Sequence, residues 1–285
     1  MNLGINLGYF TKIEESDNLD KILEYARLCT KAGLRKLDFL SSLEVADSID
    51  FAKKIRDAFE KENIEIHQSH APFYRYKYKK GATLEDYKDK LYLSLEVAST
   101  LGAKHLVVHA DEYVIPQGGT YDSKAAENFT YDLIAPLVDR AEKRGVKIAI
   151  ENLFEDRLYK EHPYSRFTSD IDELLSIIER FEGRVGCCWD FGHANVAFGE
   201  NSFENFKKIF PYLTCTHVHD NYYGVDMHVL PTLGGTDFAP YVRYMKEVGY
   251  KGEFVYELVY GAIPKCLTED FLNYIKKVGD YILSY

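Results

Sequence analysis

No run in the 285-residue chain approaches the roughly eighteen consecutive apolar positions that a bilayer-spanning helix requires. The opening residues MNLGINLGYFTK lack a basic region followed by an apolar stretch, so no secretory signal is read there and a cytosolic location is expected. Cysteine is sparse. Cys29, Cys187, Cys188, Cys215 and Cys266 form no C-x-x-C pair, and the adjacent Cys187 and Cys188 are poorly placed for a disulfide; all five are expected to be reduced core residues. Proline-, glycine- or serine-rich linkers and low-complexity segments are missing too, so residues 1–285 read as one domain. Positive charge is in deficit. With 35 Lys and Arg against 45 Asp and Glu, the formal net charge is −10, which disfavours a protein that binds mainly by neutralising the phosphates of a long duplex. Bound divalent cations would alter the field locally, so a nucleic-acid partner stays open on charge alone.

What the chain does have is a rhythm: short β-like runs alternate with longer amphipathic stretches, eight times, as repeated βα units do. The strand expectations are Leu3–Gly8, Arg35–Leu40, Ile64–Ser69, Lys104–His109, Val146–Glu151, Arg184–Asp190, Leu213–His219 and Glu253–Leu258. Eight strands of this kind predict an α/β fold, a single (β/α)8 TIM barrel. The helices between them have legible ends. One starts after Asp17 with Leu19, Ile22, Leu23 and Ala26 on one face, Thr83 opens another that stops at Gly102, and Thr236 is expected to cap a third that stops at Gly249. Pro136 falls inside the fourth helix and should kink it.

From the third strand onward, each strand ends on or beside a side chain able to bind a divalent cation: His70, His109, Glu151, Asp190, His217 and Glu257. Each is separated from the next by about one βα unit, so a barrel would bring all six to one rim. A single histidine at a strand end is more often structural, and a single aspartate before a turn is more often a helix cap. Six strands in agreement point instead to a metal site, since buried unpaired carboxylates are costly without a cation. A second group lies close by: His193 three residues after Asp190, then His219, Asp220, Asp226 and His228, of which His193, Asp226 and His228 form a nitrogen and oxygen set suited to zinc, manganese or iron. The bland alternative is that these residues orient the first group or hold substrate hydroxyls. Gly234 and Gly235 could offer amides to a phosphate but more readily form a tight turn. The run Arg75–Lys80 interleaves basic and aromatic residues and reads first as a solvated loop, with Arg75 a weaker substrate-binding candidate beside His219. His67 and His105 are read as structural.

These residues resemble the xylose isomerase-like TIM barrels, a superfamily of sugar epimerases and isomerases that also includes endonuclease IV. The carriers are HAPF at 70–73, GAKHLVVHA at 102–110, IAIENL at 148–153, WDFGHAN at 189–195, HVHDN at 217–221, DMHVLPTLGG at 226–235 and VYELV at 255–259. Through its ketose epimerase branch the resemblance implies a cation on Glu151, Asp190, His217 and Glu257. The two glutamates are then the acid/base pair of a metal-dependent isomerase or epimerase working through an enediolate, and His193 holds a substrate oxygen. Through its endonuclease IV branch it implies a zinc phosphodiesterase acting on abasic DNA, with up to three ions on His70, His109, Glu151, Asp190, His193, His217, Asp226, His228 and Glu257. The first branch is preferred, with one Mn, Co, Mg or Zn ion and a carbohydrate substrate. A nuclease should show distributed basic residues on its rim, whereas here only Arg75–Lys80 is basic. A barrel that binds sugar without turning it over is a further alternative. No membrane partner is expected, and a homo-oligomer is compatible with the sequence.

Overall fold

The computed structural model describes residues 1–7, 18–40, 49–73, 83–116, 119–155, 166–222, 224–259 and 263–285. Its strands are β1 (Asn2–Asn6), β2 (Lys36–Leu40), β3 (Glu65–His70), β4 (His105–Val108), β5 (Lys147–Glu151), β6 (Gly186–Asp190), β7 (Leu213–His217), β8 (Asp220–Tyr222), β9 (Val225–Val229) and β10 (Glu253–Tyr256). The helices are α1 (Leu19–Lys31), α2 (Ile49–Lys61), α3 (Leu84–Leu101), α4 (Ser123–Arg144), α5 (Ile171–Arg180), α6 (Phe191–Phe198), α7 (Ser202–Ile209), α8 (Ala239–Glu247) and α9 (Thr268–Ile282).

Eight strands pair in parallel in the order β10-β1-β2-β3-β4-β5-β6-β7. The ring closes at Val218, whose N–H donates to Val255 O at 2.8 Å and whose carbonyl accepts from Glu257 N at 3.1 Å. This is the (β/α)8 TIM barrel expected from the alternation. One element was not foreseen. The stretch after His217 does not continue as strand to His219; it turns back as the antiparallel hairpin β8–β9.

Because successive side chains on a strand face opposite ways, alternate residues point into the barrel. On β5, Ile148 and Ile150 join the large core beneath the helices, while Ala149 belongs to a separate buried cluster with Val107, Cys188 and Cys215. That cluster is a layer of the barrel interior. Two residues further along β5, β6 and β7 the same face carries Glu151, Asp190 and His217, and His109 stands two beyond Val107. Strand pleat and barrel closure therefore deliver these side chains to one rim.

Helix ends agree with the sequence where local chemistry is strong. Thr83 and Asp86 form a reciprocal capping box at the start of α3, and Gly102 ends it at φ +82°. α1 begins after Asp17 as expected, with Asn18 as its N-cap. One expectation needs correction. Thr236 does not cap α8: the helix begins at Ala239, and it is Asp237 whose carboxylate accepts from Ala239 N at 3.0 Å. The amides of Thr236, Gly234 and Asn221 instead surround the carboxylate of Asp220, at 3.0, 3.1 and 2.9 Å. That protein carboxylate occupies the place considered for a phosphate. Pro136 lies inside α4 as expected. Cys29, Cys187, Cys188 and Cys215 are free and buried, whereas Cys266 is free but exposed, so the core reading fails for that one. Among the described residues no helix is long and apolar enough to cross a membrane.

Candidate metal centre

Glu151 ends β5, Asp190 ends β6, His217 ends β7 and Glu257 follows β10, so the four stand on consecutive staves of the barrel with the glutamates at the two ends of the arc. One ligand atom from each lies within 4.8 Å of the others, and all four are buried. A cation with bonds of about 2.0–2.2 Å places its ligand atoms up to roughly 4.4 Å apart, so the set fits a single ion with little adjustment. His217 Nδ1 faces the middle of the group, 2.7 Å from Glu151, 3.4 Å from Glu257 and 4.0 Å from Asp190.

His70 and His109 adjoin this group from the far side of Glu151, at 3.2 and 2.9 Å from its Oε2. On the other flank, His193, His219, Asp226 and His228 form a second cluster with ligand atoms within 4.8 Å. Here Nδ1 of His193 donates to Asn152 O at 2.9 Å and Nδ1 of His228 donates to Glu257 O at 3.0 Å. Those bonds turn both Nε2 atoms toward Asp226, at 3.7 and 3.1 Å. His219 has no exposed surface; it sits behind Asp190 with Nε2 3.0 Å from the carboxylate and stacks on His228 at 3.9 Å. A substrate contact from that ring has no open face in this structure. Arg75 and the run 75–80 lie outside the described residues. His67 and His105 pack on each other at the opposite end of the barrel, at the starts of β3 and β4.

The electrostatics show what the cluster lacks. Glu151, Asp190, Asp226 and Glu257 form ion pairs with histidines alone; no lysine or arginine among the described residues pairs with them. Burial pushes the Glu151 carboxyl up, but His217 and His109 outweigh it and hold it well below the usual range. Burial likewise opposes charge on His217, yet Glu257 and Glu151 lift it well above its ordinary value. His193 is raised to about 10, with Asp190 and Asp226 overcoming burial, and His228 to about 9 through Asp226 and Glu257. The raised imidazoles His193, His217 and His228 therefore favour carrying protons that offset part of the carboxylate charge. The four-residue set offers nitrogen and oxygen donors, which suit zinc, manganese or similar ions; Cys188 also lies within reach of Glu151 and His217, but burial pushes its thiol well above its ordinary value.

Asp190, a candidate ligand, is also the N-cap of α6, its Oδ1 accepting from His193 N at 2.6 Å. Several supporting residues escaped the sequence reading. Asn152 bridges strand ends, donating to Asp190 O at 2.9 Å and accepting from Asp190 N at 2.7 Å. Asn221 ties the hairpin to α6 by donating to Gly192 O at 2.8 Å while accepting from Met227 N at 2.6 Å. Asp38, fully buried on β2, approaches His217 Nε2 to 3.3 Å. The acid–amide pairs Glu151-Asn152 and Asp220-Asn221, and an acid in the middle of an apolar strand, were the available signals.

A parallel eight-stranded barrel with a cluster of carboxylates and imidazoles at the C-terminal rim defines a class of α/β barrel proteins able to hold divalent cations there. Residues 20–278 match the family described as Xylose isomerase-like TIM barrel, and the chain belongs to that family. It is 26% identical over 261 residues to the uncharacterized protein MJ1311 of Methanocaldococcus jannaschii, covering 88% of this chain and 82% of that one. Among solved structures it is similar to a D-tagatose 3-epimerase-like protein at 21% identity and TM-score 0.76, covering 100% and 98% of the two chains. It is also similar to the IolI protein with a bound zinc atom, at 19% identity and TM-score 0.75, again covering 100% and 98%. A D-psicose 3-epimerase aligns over 100% of both chains at 15% identity and TM-score 0.73. At these identities the structural likeness speaks for the fold.

Proposed function

We propose that the protein is a metal-dependent sugar isomerase or epimerase, with one divalent cation on Glu151, Asp190, His217 and Glu257. The observation that carries this reading is the convergence of those four buried donors from four consecutive strands to within 4.8 Å. The epimerase and zinc-bound IolI structures that share the fold are consistent with it. When bound, the cation would polarise a sugar carbonyl and lower the pKa of the adjacent C–H, favouring an enediolate. Glu151 and Glu257 flank the other two donors, so one carboxylate can remove that proton and the other can return it from the opposite side. His193, at the first turn of α6 with Nε2 turned inward, is suited to hold a substrate oxygen. His70 and His109 would steady the far oxygen of Glu151.

A second reading draws on the continuity of the clusters: His70, His109 and Glu151 on one side and His193, Asp226 and His228 on the other could each hold a further ion. That arrangement would suit an endonuclease IV-like zinc phosphodiesterase. Metal analysis of protein purified without added metals, joined to deuterium uptake from solvent into a panel of ketoses, decides between them. One ion per chain and exchange into a ketose is expected. About three zinc ions per chain with cleavage of an abasic duplex would replace the isomerase with the nuclease, and full occupancy without turnover would leave a sugar-binding barrel.

A further inference from the structure

On β1, β2 and β3 the barrel interior is polar where branched apolar residues are the norm. Asn6 on β1, Asp38 on β2 and Gln68 on β3 are register neighbours, Asn6 beside Asp38 and Asp38 beside Gln68, and none of the three has exposed surface. Gln68 Nε2 donates to Asp38 Oδ2 and to Thr216 O, both at 3.4 Å. A buried carboxylate needs a charged or strongly donating partner. For Asp38 the ion-pair partner among the described residues is His217, whose Nε2 lies 3.3 Å from Oδ2. Strands β2 and β7 are separated by β1 and β10 in the ring, so the contact crosses the barrel interior rather than following a strand edge.

The His217 ring thus has an acid on each edge. Nδ1 faces Glu151, Glu257 and Asp190, while Nε2 makes no in-line hydrogen bond and has Asp38 beside it. Only one of the two nitrogens can give a lone pair to a cation, and only if the other keeps its proton. We propose that Asp38 is a positioning residue that holds the proton on His217 Nε2 and so commits Nδ1 to the metal centre. Histidine ligands are commonly fixed this way by an outer carboxylate, whose loss costs about 10–100-fold in metal affinity or activity. The inference rests on the metal reading above, and it explains why a carboxylate is kept in the middle of β2, in a strand that otherwise reads as core.

The test is Zn²⁺ affinity measured by chelator competition on folded protein, for the wild type, Asp38→Asn, His217→Ala and the double variant. Asp38→Asn is expected to bind Zn²⁺ 10–100-fold more weakly than wild type, and to add little once His217 is gone, since it acts through that ring. Wild-type affinity in Asp38→Asn overturns the proposal, and so does a loss that persists undiminished in the His217→Ala background. Wild-type protein that binds no Zn²⁺ overturns the metal reading itself, an outcome distinct from both. If the Asp38 variants do not fold, ¹⁵N resonances of the histidines in Zn²⁺-loaded wild type give the answer directly. A proton on His217 Nε2 is expected, and a proton on Nδ1 with the cation on Nε2 refutes it.

Discussion

At Glu151 three demands meet in one side chain. Its Oε1 is 2.7 Å from His217 Nδ1, its Oε2 is 2.9 Å from His109 Nε2, and the residue has no exposed surface. Glu151→Gln keeps the shape and removes the base, so solvent exchange into a ketose should fall by about 10²–10⁴-fold, the usual worth of a positioned general base. Circular dichroism should stay that of the wild type. Retained exchange would take Glu151 out of the acid/base pair. Asp190 teaches a related lesson about reading sequences: taken alone it is a helix cap, and it does cap α6, yet the same carboxylate is a candidate ligand. Local chemistry identifies the cap, and only the neighbouring strands reveal the second role. Asp38 was passed over because KLDFL reads as a core strand and its partner His217 is remote in sequence.

Elements were legible where a short-range rule governs them. The capping box of Thr83 with Asp86 is one such rule, and Thr83→Ala should lower stability by about 1 kcal/mol, seen as a drop in Tm. An unchanged Tm would show that the box contributes nothing. The hairpin β8–β9 was hidden because the seventh strand reads as running through to His219; what turns the chain back is Asp220, gripped by amides from Asn221, Gly234 and Thr236. The first turn of α6 is constrained by contact rather than by propensity. A Cβ on Gly192 would fall 1.8 Å from His219 Cε1, and that ring is fully buried and stacked on His228, so it cannot yield. Gly192→Ala is therefore expected to cost about 1–3 kcal/mol by overpacking and to weaken metal binding by shifting Asp190. Wild-type stability together with wild-type metal affinity would contradict this account of the turn.

For the molecule as a whole, the rim cluster is expected to make stability depend on pH and, on the proposed metal reading, on a bound cation. His193 at about 10 and His228 at about 9 lie above the ordinary 6.5, so in the metal-free protein their contribution is complete below pH 6.5 and is lost as pH rises through 9 to 10. Glu151 and Asp226 are depressed, so theirs is present above the ordinary carboxylate range and is lost only as pH falls through the lowered values. Metal-free protein should therefore lose thermal stability between pH 7 and 10, and a Tm independent of pH over that interval would sink the argument. Adding Zn²⁺ or Mn²⁺ at about a hundred times its Kd should raise stability by about 2.7 kcal/mol, reversibly with chelator. The sequence by itself determined the barrel and its rim, because pleat and helix periodicities are local and recur eight times along the chain. Tertiary structure alone decided which donors share an ion-sized space, that His219 lies behind Asp190, and that Asp38 meets His217. Those are distances across the ring, set by closure of the barrel, and no spacing along the chain encodes them.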